Sequence, residues 1–388
     1  MMRADLHVHS YHSGYNHDLP FLRSRDCYNC PEAVYRTAKA RGMDIVTLTD
    51  HDSIDGCLEF LSKHPDTPDF IIGEEITCWM PGSGRAPIEV HIAAYGMTEK
   101  AHREIQPLRD NVFDVIAYLR EANIFYVLNH LFHFYRGQMP MGRYLELLDE
   151  VPALETRNGA MLAAHNRLIE AIIDARAGSA GTRHAAVGGS DAHTLRRIGR
   201  TWTSVPAATR EEFLANLAAG HGVVGGDEGG TFALAADIYG VIGQYWLSLV
   251  GLQRGDISAP RRALGLGFSV VSAPFEFIPL LIAAIQKGGE TRRMREFENV
   301  LASLSPAPLS PRGERGLNFS QGPGPSRDLE MGRLPGASRE VVRSASFDCG
   351  PAADSGMGQG AAPSVHNVNP SLPGGREGQG SERVVLRG

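Results

Sequence analysis

Imidazoles and carboxylates recur in small groups along the first half of the chain. In Asp5-Leu6-His7-Val8-His9 the two histidines alternate, so an extended backbone puts both rings on one face. His51 stands between Asp50 and Asp52. Glu74 and Glu75 follow Gly73, and His91 lies in Glu89-Val90-His91. His130 follows Asn129, with His133 close behind. Asp191 and His193 end the stretch that begins Gly188-Gly189, and share a face if extended geometry persists there. Each group alone is a weak signal; a lone strand histidine is commonly a core residue. Together they offer more donors than one tetrahedral ion takes. Mixed imidazole and carboxylate donors suit Zn, Mn or Fe better than Ca or Mg. The expectation is two or three divalent cations, with one glutamate of the Glu74-Glu75 pair bridging two of them.

These residues fall at or beside short apolar runs. The runs are Ala4–Val8, Ile45–Leu48, Phe70–Ile72, Ile88–Ala94, Phe125–Leu128, Ala153–Leu154 and Ala185–Val187. Helical patterns separate several of them. Pro31–Arg41 opens with Pro and Glu and stops at Gly42. Ala101–Asn123, Leu162–Ala177 and Arg210–Ala219 carry a 3.6-residue apolar period. Strands alternating with helices predict an α/β fold with a mostly parallel sheet. Polar groups at nearly every strand end favour a barrel, whose strand ends converge on one mouth.

Composition narrows the class. Of 388 residues, 43% are hydrophobic and 21% charged, which excludes a wholly disordered, collagen-like or polytopic membrane chain. With 38 basic and 44 acidic residues the net charge is −6, so no broad basic footprint for duplex nucleic acid is expected. Five cysteines are too few for a disulfide framework. The pair Cys27-x-x-Cys30 has no second pair at zinc-site spacing. Without a basic, then apolar, leader the expectation is a cytoplasmic protein. Three regions are expected: residues 1–230 as the catalytic barrel, 231–300 as an apolar helical appendage, and 301–388 as a disordered Gly- and Pro-rich tail. In the appendage, Phe232–Gly251 and Ala263–Gln286 are both long enough to suggest a membrane span. Asp237 and the prolines argue for a packed or dimerising appendage, with membrane association as the alternative.

The ordered set DLHVHS, TDHDSIDG, GEEI, EVHIAAYG, NH, LETRNG and GGSDAH resembles the PHP (polymerase and histidinol phosphatase) family of metal-dependent phosphoesterases, over roughly residues 3–228. The resemblance implies a distorted (β/α)7 barrel. It implies that His7, His9 and Asp191 bind one ion, that Glu75 bridges two, that His91 and His130 hold the second, and that His51 and His193 hold a third. The chain departs from the family at Gly14, where relatives often carry an Asp. His12, His17 and Asp18 are the nearby substitutes, and the choice among them stays open.

Two such cations can hold a hydroxide between them and clamp phosphate oxygens. The expected reaction is attack of that hydroxide on the phosphorus of a small phosphorylated substrate: a nucleotide, a short RNA end or a sugar phosphate. His193 or His51 would protonate the leaving group. Arg157, Arg196 or Arg197 would grip the phosphate. Histidinol phosphate is a narrower alternative substrate, and a non-catalytic metal-binding module is the non-enzyme alternative.

Overall fold

The computed structural model describes residues 1–16, 21–81, 88–133, 139–177, 184–253, 257–275 and 277–304. His17, Asp18 and the tail from residue 305 onward lie outside the described residues. The strands are β1 (Met2–Ala4), β2 (Val46–Leu48), β3 (Phe70–Met80), β4 (Ile88–Tyr95), β5 (Phe125–Leu128), β6 (Ala153–Asn158), β7 (Ala185–Gly189), β8 (Thr201–Val205) and β9 (Val223–Gly226). The helices are α1 (Pro31–Ala40), α2 (Asp55–Lys63), α3 (Glu99–Ile105), α4 (Val112–Glu121), α5 (Met141–Glu150), α6 (Ala163–Ala177), α7 (Arg210–Ala218), α8 (Thr231–Leu249), α9 (Ala259–Ser272) and α10 (Ile278–Leu304).

The architecture is mixed α/β. Strands β2 to β7 form one curled six-stranded sheet in sequence order, and β1, β8 and β9 form a second, three-stranded sheet. The large sheet is less parallel than expected. β3 pairs with β4, and β4 with β5, antiparallel, while β2–β3, β5–β6 and β6–β7 are parallel. The link from β3 to β4 is too short for a crossover helix, and such strands pair antiparallel. β3 also runs well past the expected Phe70–Ile72, so Gly73, Glu74 and Glu75 are strand residues paired with Tyr95, Ala94 and Ala93.

The first apolar run departs from expectation as well. Only its start joins a ladder, antiparallel to β8. The stretch beyond Ala4 lies between the two edges of the large sheet, held by single bridges from Ala4 to Ile45 and from Val8 to Ala192. Gly189 permits this close approach. A Cβ there would come within 2.4 Å of the His7 Cβ.

Helix ends follow local chemistry. Pro31 occupies the first turn of α1 and Gly42, at φ +79°, follows its end. The single helix expected over Ala101–Asn123 is two. Pro107 sits in a short 3-10 turn, and the Asn111 side chain accepts from Phe113 N–H to start α4 afresh. The main core fills the space between β3–β6 and helices α4–α6. Met294 and Phe297 of α10 are buried in that same core, beside Phe132 and Tyr144.

Candidate metal centre

Glu75 is the hub. Strand alternation sends it and Glu74 to opposite faces. Glu74 meets His102 Nδ1 at 2.9 Å and Gln106 Nε2 at 3.2 Å, on the helix side of the sheet. Glu75 faces the histidines. Its Oε2 lies 3.1 Å from His7 Nε2, 3.2 Å from His51 Nδ1 and 3.5 Å from His9 Nε2. Its Oε1 lies 3.2 Å from His91 Nδ1 and 3.2 Å from His130 Nε2, and accepts from Asn129 Nδ2 at 2.9 Å. Asp191 Oδ1 closes the opposite side, 3.4 Å from His9 Nε2 and 3.6 Å from His7 Nε2.

Asp26 is the acidic residue that sequence reasoning missed. Its Oδ2 is 2.8 Å from His193 Nε2 and 3.9 Å from His51 Nε2. Four donor groups result: His7, His9 and Glu75; His7, His130 and Asp191; His51, Glu75 and His91; and His9, Asp26, His51 and His193. The buried atoms His7 Nε2, His9 Nε2 and Glu75 Oε2 have no hydrogen-bond partner among the described residues. Buried polar atoms left so are uncommon and call for an explanation. Nitrogen and carboxylate donors converging in this way fit divalent cations.

A surrounding shell fixes which ring nitrogen faces inward. His7 Nδ1 meets Glu155 Oε1 at 2.8 Å and His9 Nδ1 meets Ser13 Oγ at 3.0 Å, leaving both Nε2 atoms for the centre. The other Glu155 oxygen accepts from His130 N–H and from Asn158 Nδ2, and the same Asn158 amide reaches Asp191 Oδ2 at 3.2 Å. Glu155 lies within β6, in the LETRNG motif; its place just after the apolar run Ala153–Leu154 was its only signal. The buried Cys27 thiol lies 3.2 Å from His9 O and 3.4 Å from His193 O. Burial pushes its pKa well up, so it is a thiol packing two histidine-bearing segments together.

Backbone geometry at the centre is unusual. Asp191 has φ +51° and His130 φ +24°, both in a region non-glycine residues seldom occupy. Asp191 thus reaches the cluster because extended geometry ends at Gly189, not because it persists to His193.

The electrostatics are coupled. Burial works against charge on His91 and His193, yet Glu75 holds the first and Asp26 the second up at about 10. Burial pushes His51 down to about 4. Burial also opposes ionisation of Glu75 and Asp191, but the surrounding imidazoles, His7 foremost, hold both well below the usual carboxylate range. The interior is sealed at His9 and Glu75, while His51 and His193 keep 26% and 25% of their side chains exposed. The mouth is therefore on the side of Asp26, His51 and His193.

Several candidates lie elsewhere. His12 pairs with Glu59 at 2.8 Å, apart from the four groups. Arg157 does not face the cluster. It bonds Gly226 O and lies near Glu170 and Glu228; strict alternation would put it on the side of Glu155, but the register of β6 shifts between Glu155 and Arg157 and breaks that alternation. Arg197 is buried against Asp237 at 3.3 Å, and the exposed Arg196 reaches the same carboxylate at 3.9 Å.

A family model described as PHP-associated matches residues 175–221. An uncharacterised protein of Methanocaldococcus jannaschii is 33% identical over 76 residues, which are 19% of this chain and 44% of the relative. The chain thus spans less than half the length of that curated relative. Among solved structures, an amidohydrolase from Chromobacterium violaceum has a TM-score of 0.40 at 16% identity, over 57% of this chain and 97% of that one. A protein of Bifidobacterium adolescentis assigned as a metal-dependent phosphoesterase has a TM-score of 0.35 at 15% identity, over 54% and 91%. A lesion-specific endonuclease from Pyrococcus furiosus has 0.38 at 16% identity, over 77% and 91%. Structural likeness at that level carries no argument about activity. The PHP-associated match is thus confined to residues 175–221 of this chain.

Proposed function

We propose that the protein hydrolyses a phosphoester with two or three divalent cations, of Mn, Zn or Fe. His7, His9 and Asp191 hold one cation, His91 and His130 a second, and Glu75 bridges them. His51, His193 and Asp26 hold a third, so Asp26 takes the place expected of His12, His17 or Asp18. The bridges at Ala4 and Val8 support reading the first segment as a closing stave of a distorted (β/α)7 barrel. The single observation that carries the reading is the division of Glu75, whose two oxygens face two separate histidine sets.

Bound there, divalent cations polarise phosphoryl oxygens and lower the pKa of water. The protein's own groups do the rest. Glu155 and Ser13 hold the His7 and His9 rings with Nε2 inward. Buried His9 and Glu75 exclude solvent from the floor. Asp26 orients His193 at the mouth, where a leaving oxygen of the substrate departs. The arginines expected to grip phosphate are engaged by carboxylates and take no part in this mechanism.

The expected exclusion of duplex nucleic acid is not carried forward, because net charge averages a whole surface while a substrate meets one groove. Purified protein loaded with Mn, Zn or Fe should release product from a panel of aryl phosphates, nucleotides, sugar phosphates and lesion-bearing DNA. Metal retention with no turnover on any phosphoester would reject the proposal.

A further inference from the structure

Helices α9 and α10 carry an apolar surface that the rest of the described chain leaves uncovered. Between Arg262 and Lys287 the sequence has one charged residue, Glu276. Among the described side chains from 263 to 285, only Gly265 and Ala283 are buried. Val270 is 76% exposed, Val271 73%, Phe277 58% and Ile285 66%. Contiguous apolar exposure on this scale marks an interaction surface.

Its shape restricts what can cover it. α9 lies on α8 along a seam at Gly265, where a Cβ would come within 2.5 Å of the Tyr245 hydroxyl. At about 100° per residue, Leu264, Phe268 and Val271 lie to one side of that seam and Leu266 and Val270 to the other. Both flanks of one helix are thus apolar and exposed, more than a single flat partner face covers. A surrounding apolar medium covers both.

Length and charge say which medium and how deep. No single described helix is long and apolar enough to cross a membrane. The stretches Ala259–Phe275 and Ile278–Asn299 reach that combination only as a pair bent by 67°. α9 alone, of 14 residues, is about 21 Å long, short of the roughly 30 Å hydrocarbon core. In the sequence Glu276 separates the two stretches, and a carboxylate is costly in hydrocarbon. The apolar stretch is bracketed by cations: Arg261 and Arg262 before it, and the exposed Arg292 and Arg295 after it, while Lys287 between them is taken up by Glu290 at 3.0 Å. Flanking cations beside an apolar helix complement anionic headgroups.

We propose that α9 and the first turns of α10 lie in the headgroup–acyl boundary of an anionic lipid bilayer, anchoring the enzyme to a membrane surface without spanning it. Val270, Val271, Phe277 and Ile285 enter the acyl layer, and the bracketing arginines meet lipid phosphates. The anchor reaches the catalytic unit directly, where Met294 and Phe297 of α10 enter the main core, and also through α8. Its Tyr245 and Leu249 pack on Leu22 and Tyr28, which flank Asp26 in sequence.

The test is flotation of the full-length protein with vesicles of phosphatidylcholine, with and without phosphatidylglycerol, at low and high salt. Light scattering in the absence of vesicles accompanies it. The wild type should float with anionic vesicles, less with neutral ones, and less in high salt. Val271→Asp combined with Phe277→Asp should reduce the bound fraction about tenfold. Arg261→Glu with Arg262→Glu should weaken anionic binding roughly fivefold per residue while neutral binding stays unchanged. His7→Ala should float as wild type, which separates this proposal from the metal-centre reading. Three results overturn it. The wild type fails to float; the double aspartate variant floats equally well; or the free protein is a discrete dimer that the aspartates split, which assigns the surface to a second copy.

Discussion

The metal centre and the α9–α10 hairpin break the usual division of polar outside and apolar inside, in opposite directions. At the centre, His7, His9 and Glu75 are buried with unpartnered polar atoms. On the hairpin, valines, phenylalanines and isoleucines face outward. A buried polar atom without a partner costs about 1–3 kcal/mol. An exposed large apolar side chain forgoes about 1.5–3 kcal/mol of burial. Neither arrangement is favourable within one chain, so both read as places built for something beyond it. In the first the donor types specify cations; in the second the wrap-around apolar surface and bracketing cations specify lipid. The regions also differ in how they are held: His7 and His130 at the centre are both braced by Glu155, whereas α9 meets α8 along the Gly265 seam and α10 enters the main core only at its later turns, through Met294 and Phe297.

The largest test of this contrast is to strip one region and ask whether the other notices. His7→Ala or Asp191→Ala should lower turnover about a thousandfold or more with the fold intact by circular dichroism. Unchanged rates in both would remove the centre from the chemistry. Val271→Asp with Phe277→Asp should leave turnover on a soluble substrate unaltered.

Gly189→Ala comes next. It forces a methyl group against His7 and should cost about 1–3 kcal/mol of stability, read by denaturant unfolding, together with cation retention. An alanine variant that loads metal normally would mean the His7 segment is free to shift.

Glu155→Gln keeps the shape but removes the carboxylate behind His7 and should weaken metal binding about 10–100-fold, measured by competition with a chelator. Equal affinity would assign the His7 orientation to packing alone.

The smallest effect is on pH. In the metal-free protein His91 and His193 are held up at about 10, so near neutrality both carry protons that a cation must displace. Proton release on binding makes apparent affinity rise with pH until about 10 and fall in acid. Calorimetry in buffers of differing ionisation enthalpy reads the protons directly, and a pH-independent affinity contradicts the coupling.

Much of this was legible in the residues. The donor types at His7, His9, His51, Glu75, His91, His130, Asp191 and His193 are written in short motifs, and the structure brings all eight together. Strands β2 to β7 lie where the apolar runs place them, because local periodicity sets element type. Boundaries were less legible. The apolar run stopped at Ile72, yet pairing with β4 carried β3 on through Gly73 to Met80. Arg157 looked like a phosphate ligand only while its side of β6 was unknown.

Sequence by itself determined the chemistry available: which side chains ligate, which stretches are apolar, and where charge brackets them. Those are properties of residue types and near neighbours. Tertiary structure alone decided which carboxylate of Glu74 and Glu75 faces the histidines, that Asp26 and Glu155 join them, and that Arg157 does not. It also decided that the apolar face of α9 and early α10 stays uncovered by the other described residues. Each of these depends on register and on contacts between segments far apart in the chain, and a one-residue change in register reverses which face a side chain meets.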